Sequence, residues 1–389
     1  MFPITRTLDR YLLSSRLGLP RRRYLARPFP RRAARRVAIY YEPNRIAFAQ
    51  IYPFLHYAAE IERRYGTVLR LVSMDALRAG AAPLAGADTV IAQLWWTTAA
   101  AEGGAILERL RAATPEAHIA YFDPSAHTDL RQGAWLDPWI DSFHKKSLFR
   151  DPEQWFRTFL EDTNLTDFYV RHYGLEGTPV DWQAPRSMLP KLNVSPGFLM
   201  APTLLPLFAG RPMPIEAGQA RPIDLHIRLG VKGSPWYREM REEWLSRSRA
   251  IMARRPGLRM AEGRGVSWKV FMEELYGAKI VLSPFGFGEL CWRDMEAFAT
   301  GAVLVKQDMS HLDTLPDLYV DGETYVACRW DLSDLEETIE ALLDDPERRV
   351  RIARTAFERA RAYIDEARFV DDMAPILTGQ MPLREAPAA

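Results

Sequence analysis

The chain has 389 residues, 48% of them hydrophobic and 26% charged, with a formal net charge of +1; it can bury a large core, most naturally as two domains, and is too apolar to be a disordered polymer. Two cysteines, Cys291 and Cys328, are too few for a disulfide framework and point to a reducing compartment. No run of about eighteen apolar residues occurs and the N-terminus lacks a signal peptide's apolar core, so neither a membrane span nor secretion is expected, and the sequons at Asn164 and Asn193 carry little weight.

Residues 1–36 form a basic arm, with eleven arginines against the single acid Asp9. Ile4, Leu8, Tyr11 and Leu12 fall at near-helical spacing, which predicts an amphipathic helix over residues 3–18 followed by a polybasic segment. Three readings stay open for it: docking on an anionic membrane, a solvated arginine-rich tail, or a transit peptide. From Val37 the pattern alternates between short apolar runs and helical periodicity. Strands are predicted at Val37–Tyr41, Val68–Ser73, Thr89–Leu94, His118–Phe122 and Trp139–Phe143, with helices at Ile46–Tyr65 and Ala105–Ala113. Helix then dominates Trp155–Tyr173, and the proline-rich stretch from Thr178 to Pro222 reads as an interdomain region.

A second series follows. Strands are predicted at Ile223–Leu229, Leu258–Met260, Lys279–Leu282 and Ala302–Val305, and helices at Pro235–Arg254, Trp268–Tyr276, Asp331–Leu343 and Pro346–Tyr363. Strand–helix alternation of this kind favours parallel sheets. The predicted architecture is therefore α/β, two doubly wound Rossmann-like domains facing across a cleft: residues 37–215 on the acceptor side and 216–389 binding a nucleotide, the latter with C-terminal helices. Ligands in such folds sit beyond the carboxyl ends of the strands.

The most informative segment is Ser283–Val305, which reads as a glycine-rich loop, a helix from Cys291 and a strand. Gly286 and Gly288 let backbone approach a ligand, and the free N–H groups of the helix aim at the loop, a site suited to a diphosphate. The string Arg293-Asp-Met-Glu296-Ala-Phe-Ala-Thr-Gly301, with the strand Ala302–Val305 after it, resembles the donor-binding segment of GT-B glycosyltransferases, especially the exostosin-like and spore-coat-type bacterial groups. The resemblance implies that Glu296 binds ribose or sugar hydroxyls of a nucleotide sugar while Arg293 faces its phosphates. Read without it, Glu296 is a helix-face carboxylate paired with Arg293 at i,i+3. Many retaining members carry two Glu eight positions apart; here that earlier position is Gly288, with Glu289 one step late, so the stereochemical outcome stays open.

The resemblance also implies donor contacts from Ser283 and from the loop Arg228-Leu-Gly230-Val-Lys232, where Arg228 would offer bidentate contacts and Lys232 a point charge to the leaving diphosphate; read without it, the loop is a mobile turn with solvated charges. Proton abstraction from an acceptor hydroxyl would fall to the first domain, with Asp123 the first choice of base and Asp129 and His127 behind it, although an Asp at a strand end is also a common turn residue. Asn44, Arg45, Gln50, Trp95 and Trp96 fit an acceptor surface or, for the aromatics, ordinary core. His311 contacts the donor or is structural. No Asp-x-Asp pair and no Cys/His cluster at ligand spacing occurs, so the expectation is no catalytic metal and no cofactor beyond the nucleotide-sugar co-substrate. The reading is transfer of a sugar to a hydroxyl of a glycan, lipid-linked or protein acceptor by a cytoplasmic protein, peripheral on the inner membrane face through residues 1–36. Its alternatives are a sugar-nucleotide epimerase on the same scaffold and a non-catalytic sugar-nucleotide-binding partner of a transferase. Nucleic acid is not expected as a partner, since the arm lacks interleaved aromatics.

Overall fold

The structure, a computed structural model, describes residues 28–209, 213–215 and 220–380. The amphipathic helix expected over 3–18 lies outside the described residues. Apolar runs form β1 (Arg35–Tyr41), β2 (Thr67–Ser73), β3 (Thr89–Ala92), β4 (His118–Phe122) and β5 (Ser142–Lys145), followed by the short strands β6 (Ser147–Phe149), β7 (Phe159–Leu160), β8 (Pro179–Val180) and β9 (Leu192–Val194). The first sheet has the order β2-β1-β3-β4-β5-β9 with every pairing parallel; Ile39 lies against Leu71 on one side and Ile91 on the other. Helices cover both faces, which is why these strands read as continuous apolar runs rather than alternating ones.

The second half gives β10 (Ile223–Ile227), β11 (Met260–Glu262), β12 (Ala278–Leu282), β13 (Val303–Gln307), β14 (Leu312–Thr314) and β15 (Val326–Cys328). Its sheet runs β11-β10-β12-β13-β15, again wholly parallel. Two doubly wound Rossmann-like domains are thus present, as the alternation predicts.

Local departures have local causes. The helix expected over 46–65 is two, Arg45–His56 and Ala58–Tyr65; Pro53 deletes one i→i−4 bond inside the first, and the break at Tyr57 comes one turn later. The strand expected from Trp139 starts at Ser142, because Pro138 sets Asp137–Trp139 in a 3₁₀ turn. Of the tract 155–173 only Asn164–His172 is α-helical; a capping box at Thr163 fixes its start.

Segments cross between the domains. The strand β6 pairs antiparallel with β14, Leu148 opposite Asp313, and Tyr169 donates to the Trp330 carbonyl at 3.1 Å. At the far end of the chain, Arg368–Asp372 and Ala374–Thr378 return to the first domain: Thr67 and Thr89 hydroxyls donate to the Leu377 and Ile376 carbonyls at 2.9 and 3.1 Å, and Phe369 packs edge-on to Phe54. No described helix is long and apolar enough to cross a membrane.

Candidate functional site

The carboxyl ends of β10 and β12 open on a cavity of about 790 Å³ between the two sheets. The first domain supplies Asn44 and Arg45 to its wall; the second supplies Arg228, Arg241, Arg264, Arg293 and Glu296.

Its shape starts from the helix Trp292–Thr300. Asp294, fully buried in its first turn, accepts the Cys291 N–H at 3.0 Å, the Ser283 hydroxyl at 2.6 Å and the Tyr319 hydroxyl at 2.7 Å, and Lys306 Nζ lies 3.3 Å from it. One carboxylate therefore ties the first residue of the glycine loop to its last and sets where Cys291, Trp292 and Arg293 meet the cavity. The helix ends at Gly301 in the left-handed region. Gly288 is required by close approach, since a Cβ there would come 1.7 Å from the Ala126 carbonyl oxygen of the first domain.

Five arginines line the cavity, and two hold donors in reserve. Arg241 donates to the Gly230 and Phe285 carbonyls at 3.2 Å each and lies over the Tyr237 ring, and Arg293 donates to the Arg228 carbonyl, yet Nε of both is buried without a hydrogen-bond partner. A buried N–H left unpaired costs about 1–3 kcal/mol, more when charged; an anion in the cavity would satisfy both. Arg264 stands over Gly230, where a Cβ would be 3.0 Å from its Cζ.

Glu296 lies on the inner face of the same helix. Burial pushes its carboxyl up to about 7, against the opposing pull of Arg293 and Arg45. It forms no hydrogen bond or ion pair through its side chain among the described residues, so the i,i+3 pair with Arg293 is not formed. A carboxylate facing a cavity without a partner is an acceptor for ligand hydroxyls.

The structure brings only part of the sequence-predicted set together. Ser283 and Gly230 line the cavity with Arg293 and Glu296, but the Ser283 hydroxyl is spent on Asp294. Arg228 also lines it, though its guanidinium is held bidentately by Glu274 at 2.5 and 2.6 Å and donates to the Glu262 carbonyl, leaving little for a phosphate. Lys232 is exposed and, like Gly286 and Gly288, outside the lining. Arg241 and Arg264 take the places expected of Arg228 and Lys232; Arg241 is one arginine among several on a long helix and Arg264 sits in a motif-free loop, so only the fold singles them out.

On the first domain, Asp123 is 4% exposed, paired with Lys145 and accepting the Ser125 N–H at 2.8 Å. The adjacent Lys145 charge and these bonds outweigh burial and hold its carboxyl below the usual range, so it is a poor base. Asp129 is clasped by Arg131 at 2.6 and 2.8 Å. His127 differs: burial and Arg131 lower its pKa, keeping the imidazole neutral, and it lies beside Trp96 on the loop whose Ala126 touches Gly288, although it does not line this cavity. The acceptor set does not form one surface. Asn44 caps the helix Arg45–His56, Arg45 lies over the Trp292 ring at 4.7 Å, and Gln50 is wholly buried, donating to Ser195 and accepting from Gln93. Trp95 is half-buried, and Trp96 is 41% exposed near Arg131.

Residues 220–374 match a family model described as glycosyl transferase-like. Among solved structures the chain is similar to an alpha-glucosyltransferase in complex with UDP-glucose and DNA containing an abasic site, at 12% identity over 88% of this chain and 99% of that one, TM-score 0.46. It is similar to a putative UDP-N-acetylglucosamine 2-epimerase from Listeria monocytogenes at 10% identity over 86% and 96%, TM-score 0.42. A third likeness is to Anabaena HepE in complex with UDP-glucose, at 9% identity over 88% and 99%, TM-score 0.43. No curated protein matches. These structural likenesses carry no argument about the ligands of this chain.

Proposed function

We propose that this chain, a glycosyltransferase with a glycosyl transferase-like domain at residues 220–374 and two Rossmann-like domains of GT-B type, moves a sugar from a nucleotide-sugar donor to an acceptor hydroxyl without a catalytic metal. One observation carries the donor reading: Arg241, Arg264 and Arg293 converge with Glu296 in one interdomain cavity, two of the three with an unpartnered buried Nε. Arginines and the start of the Trp292–Thr300 helix are suited to a diphosphate, and the Glu296 carboxylate to ribose hydroxyls.

In the inverting form of the reaction the acceptor oxygen attacks the anomeric carbon and the bond from that carbon to the diphosphate oxygen breaks. The electron pair leaves with the nucleoside diphosphate, whose growing charge the guanidinium groups stabilise. The hydroxyl proton passes through a bridging water, since His127 does not itself line the cavity, to that residue, the member of the expected trio that is neutral and free of a bidentate counter-ion. Cationic side chains in the place of a metal predict that turnover survives chelation. The same proposal places the protein in the cytoplasm, drawn to an anionic membrane by residues 1–36; it is supported by sparse cysteine and the arginine excess of the arm.

The test is incubation of the full chain with a panel of nucleotide sugars, with and without a chelator, followed by assay of nucleoside diphosphate release. Release that persists with the chelator and is lost in Arg293→Ala is the expected result. An isomerised sugar nucleotide without diphosphate release would make the protein an epimerase, and no turnover with intact nucleotide binding would make it a binding partner.

A further inference from the structure

A second interdomain cavity, of about 750 Å³, lies between the segment 149–172 of the first domain and the loops after β13 and β15. Its volume falls within the ~300–1,000 Å³ of small-ligand sites, and its walls are aromatic: Phe168 and Trp330 meet edge-on at 5.2 Å, His172 stacks on Phe168, and His311 stands edge-on to Trp330 at 5.0 Å. Planar polar groups, Gln154 and Asn164 among them, stand beside these rings.

Its three arginines already have acidic partners, and Asp151 and Asp308 line it as carboxylates with no cation paired to them among the described residues. Arg150 pairs with Asp313 at 3.0 Å, Arg171 with Asp167 at 2.9 Å, and Arg157 has Asp167 at 3.9 Å. A polyanion would have to displace these carboxylates, and a purely apolar ligand would desolvate the half-exposed Arg150 and Arg157 without offering them a hydrogen bond. An uncharged saccharide does neither, because its C–H faces cover aromatic rings while its hydroxyls bond planar polar side chains.

Residues lining the cavity reach the glycine loop through Glu289. Glu289, 1% exposed, accepts Asn164 Nδ2 at 2.9 Å and Thr128 Oγ1 at 3.0 Å and lies 3.5 Å from His311 Nε2; Asn164 and His311 line the second cavity, and Cys291, two residues on, lines the first. We propose that the second cavity binds an uncharged saccharide, the portion of the acceptor remote from its reacting hydroxyl. The acceptor role rests on the transferase reading; the saccharide site stands on the cavity itself.

The test is binding of the full chain to an array of neutral, uronic-acid and sulfated oligosaccharides, alongside titration with UDP and GDP. The variants are Trp330→Phe and the double variant Gln154→Ala/Arg157→Ala, both members of which lie toward solvent. A neutral oligosaccharide is expected to bind and to lose about tenfold in affinity in the double variant, with nucleotide affinity held within about twofold. Used as acceptor, that saccharide should show a raised KM in the double variant. Neutral-saccharide affinity unaffected by both variants, preference for sulfated or uronic-acid chains, or nucleotide binding with no saccharide captured would each overturn the proposal. Saccharide binding sensitive to the double variant in a chain that binds neither UDP nor GDP would support the site and overturn its role as an acceptor subsite.

Discussion

Glu296 couples the proposed donor site to pH. Its carboxyl, raised by burial to about 7 from the usual 4.5, binds its proton more tightly in the folded chain than in the unfolded one. Between those values the folded state holds more protons, so this group's contribution to stability falls as pH rises through the window. Thermal melts across it should show that slope in the wild type and a flatter profile in Glu296→Gln. Hydroxyl recognition needs the ionised form, so nucleotide affinity should climb as pH rises through about 7, and Glu296→Gln should weaken binding by roughly 1.5–3 kcal/mol, the usual worth of a hydrogen bond to a charged group; an affinity flat in pH would remove Glu296 from the contact. That Arg293 and Glu296 face one cavity was legible because they stand in one short string beside a glycine loop. Asp123 misled for a physical reason: a strand-end carboxylate looks the same in sequence whether or not a lysine such as Lys145, on a neighbouring strand, neutralises it. No local signal distinguishes those two cases.

At the scale of the element, the loop and helix from Ser283 to Thr300 hold their shape through Asp294. Asp294→Ala would strand the buried Lys306 ammonium and free the Ser283, Cys291 and Tyr319 donors, a loss of about 3–5 kcal/mol by analogy with other broken buried pairs. Urea unfolding measures it, and a loss near that of a surface substitution would show that the knot bears no load. Gly288→Ala should separate the glycine loop from the Ala126 carbonyl, lowering both turnover and melting temperature. The strands and the helix Pro235–Arg254 were legible because helix-covered parallel strands leave continuous apolar runs and a proline at the first helical position marks where a helix starts. The 3₁₀ turns at Asp137–Trp139 and Pro152–Phe156 were not, since aromatic residues there mimic the apolar spacing of longer elements.

Across the whole molecule, the helices Arg368–Asp372 and Ala374–Thr378 tie the C-terminal part of the described chain to the first domain. Removing residues 366–389 would uncover the first domain around Phe54 and leave the Thr67 and Thr89 hydroxyls without the carbonyls they bond. Calorimetric unfolding of that truncation should resolve into two transitions, the first domain melting earlier; a single unshifted transition would mean the crossing contributes nothing to coupling. Two-domain alternation was readable from periodicity, whereas this return and the β6–β14 pairing depend on contacts between residues more than a hundred positions apart, which no local pattern records. The central claim is that the cavity between the sheets clasps a nucleoside diphosphate through guanidinium groups at the start of the Trp292–Thr300 helix. Isothermal titration of the full chain with UDP, GDP and ADP, repeated on Arg293→Ala and Arg264→Ala, tests it most directly. The account predicts saturable binding of at least one nucleotide, weakened about tenfold or more in each variant; no heat of binding with any of the three, or binding that both variants retain in full, would contradict it.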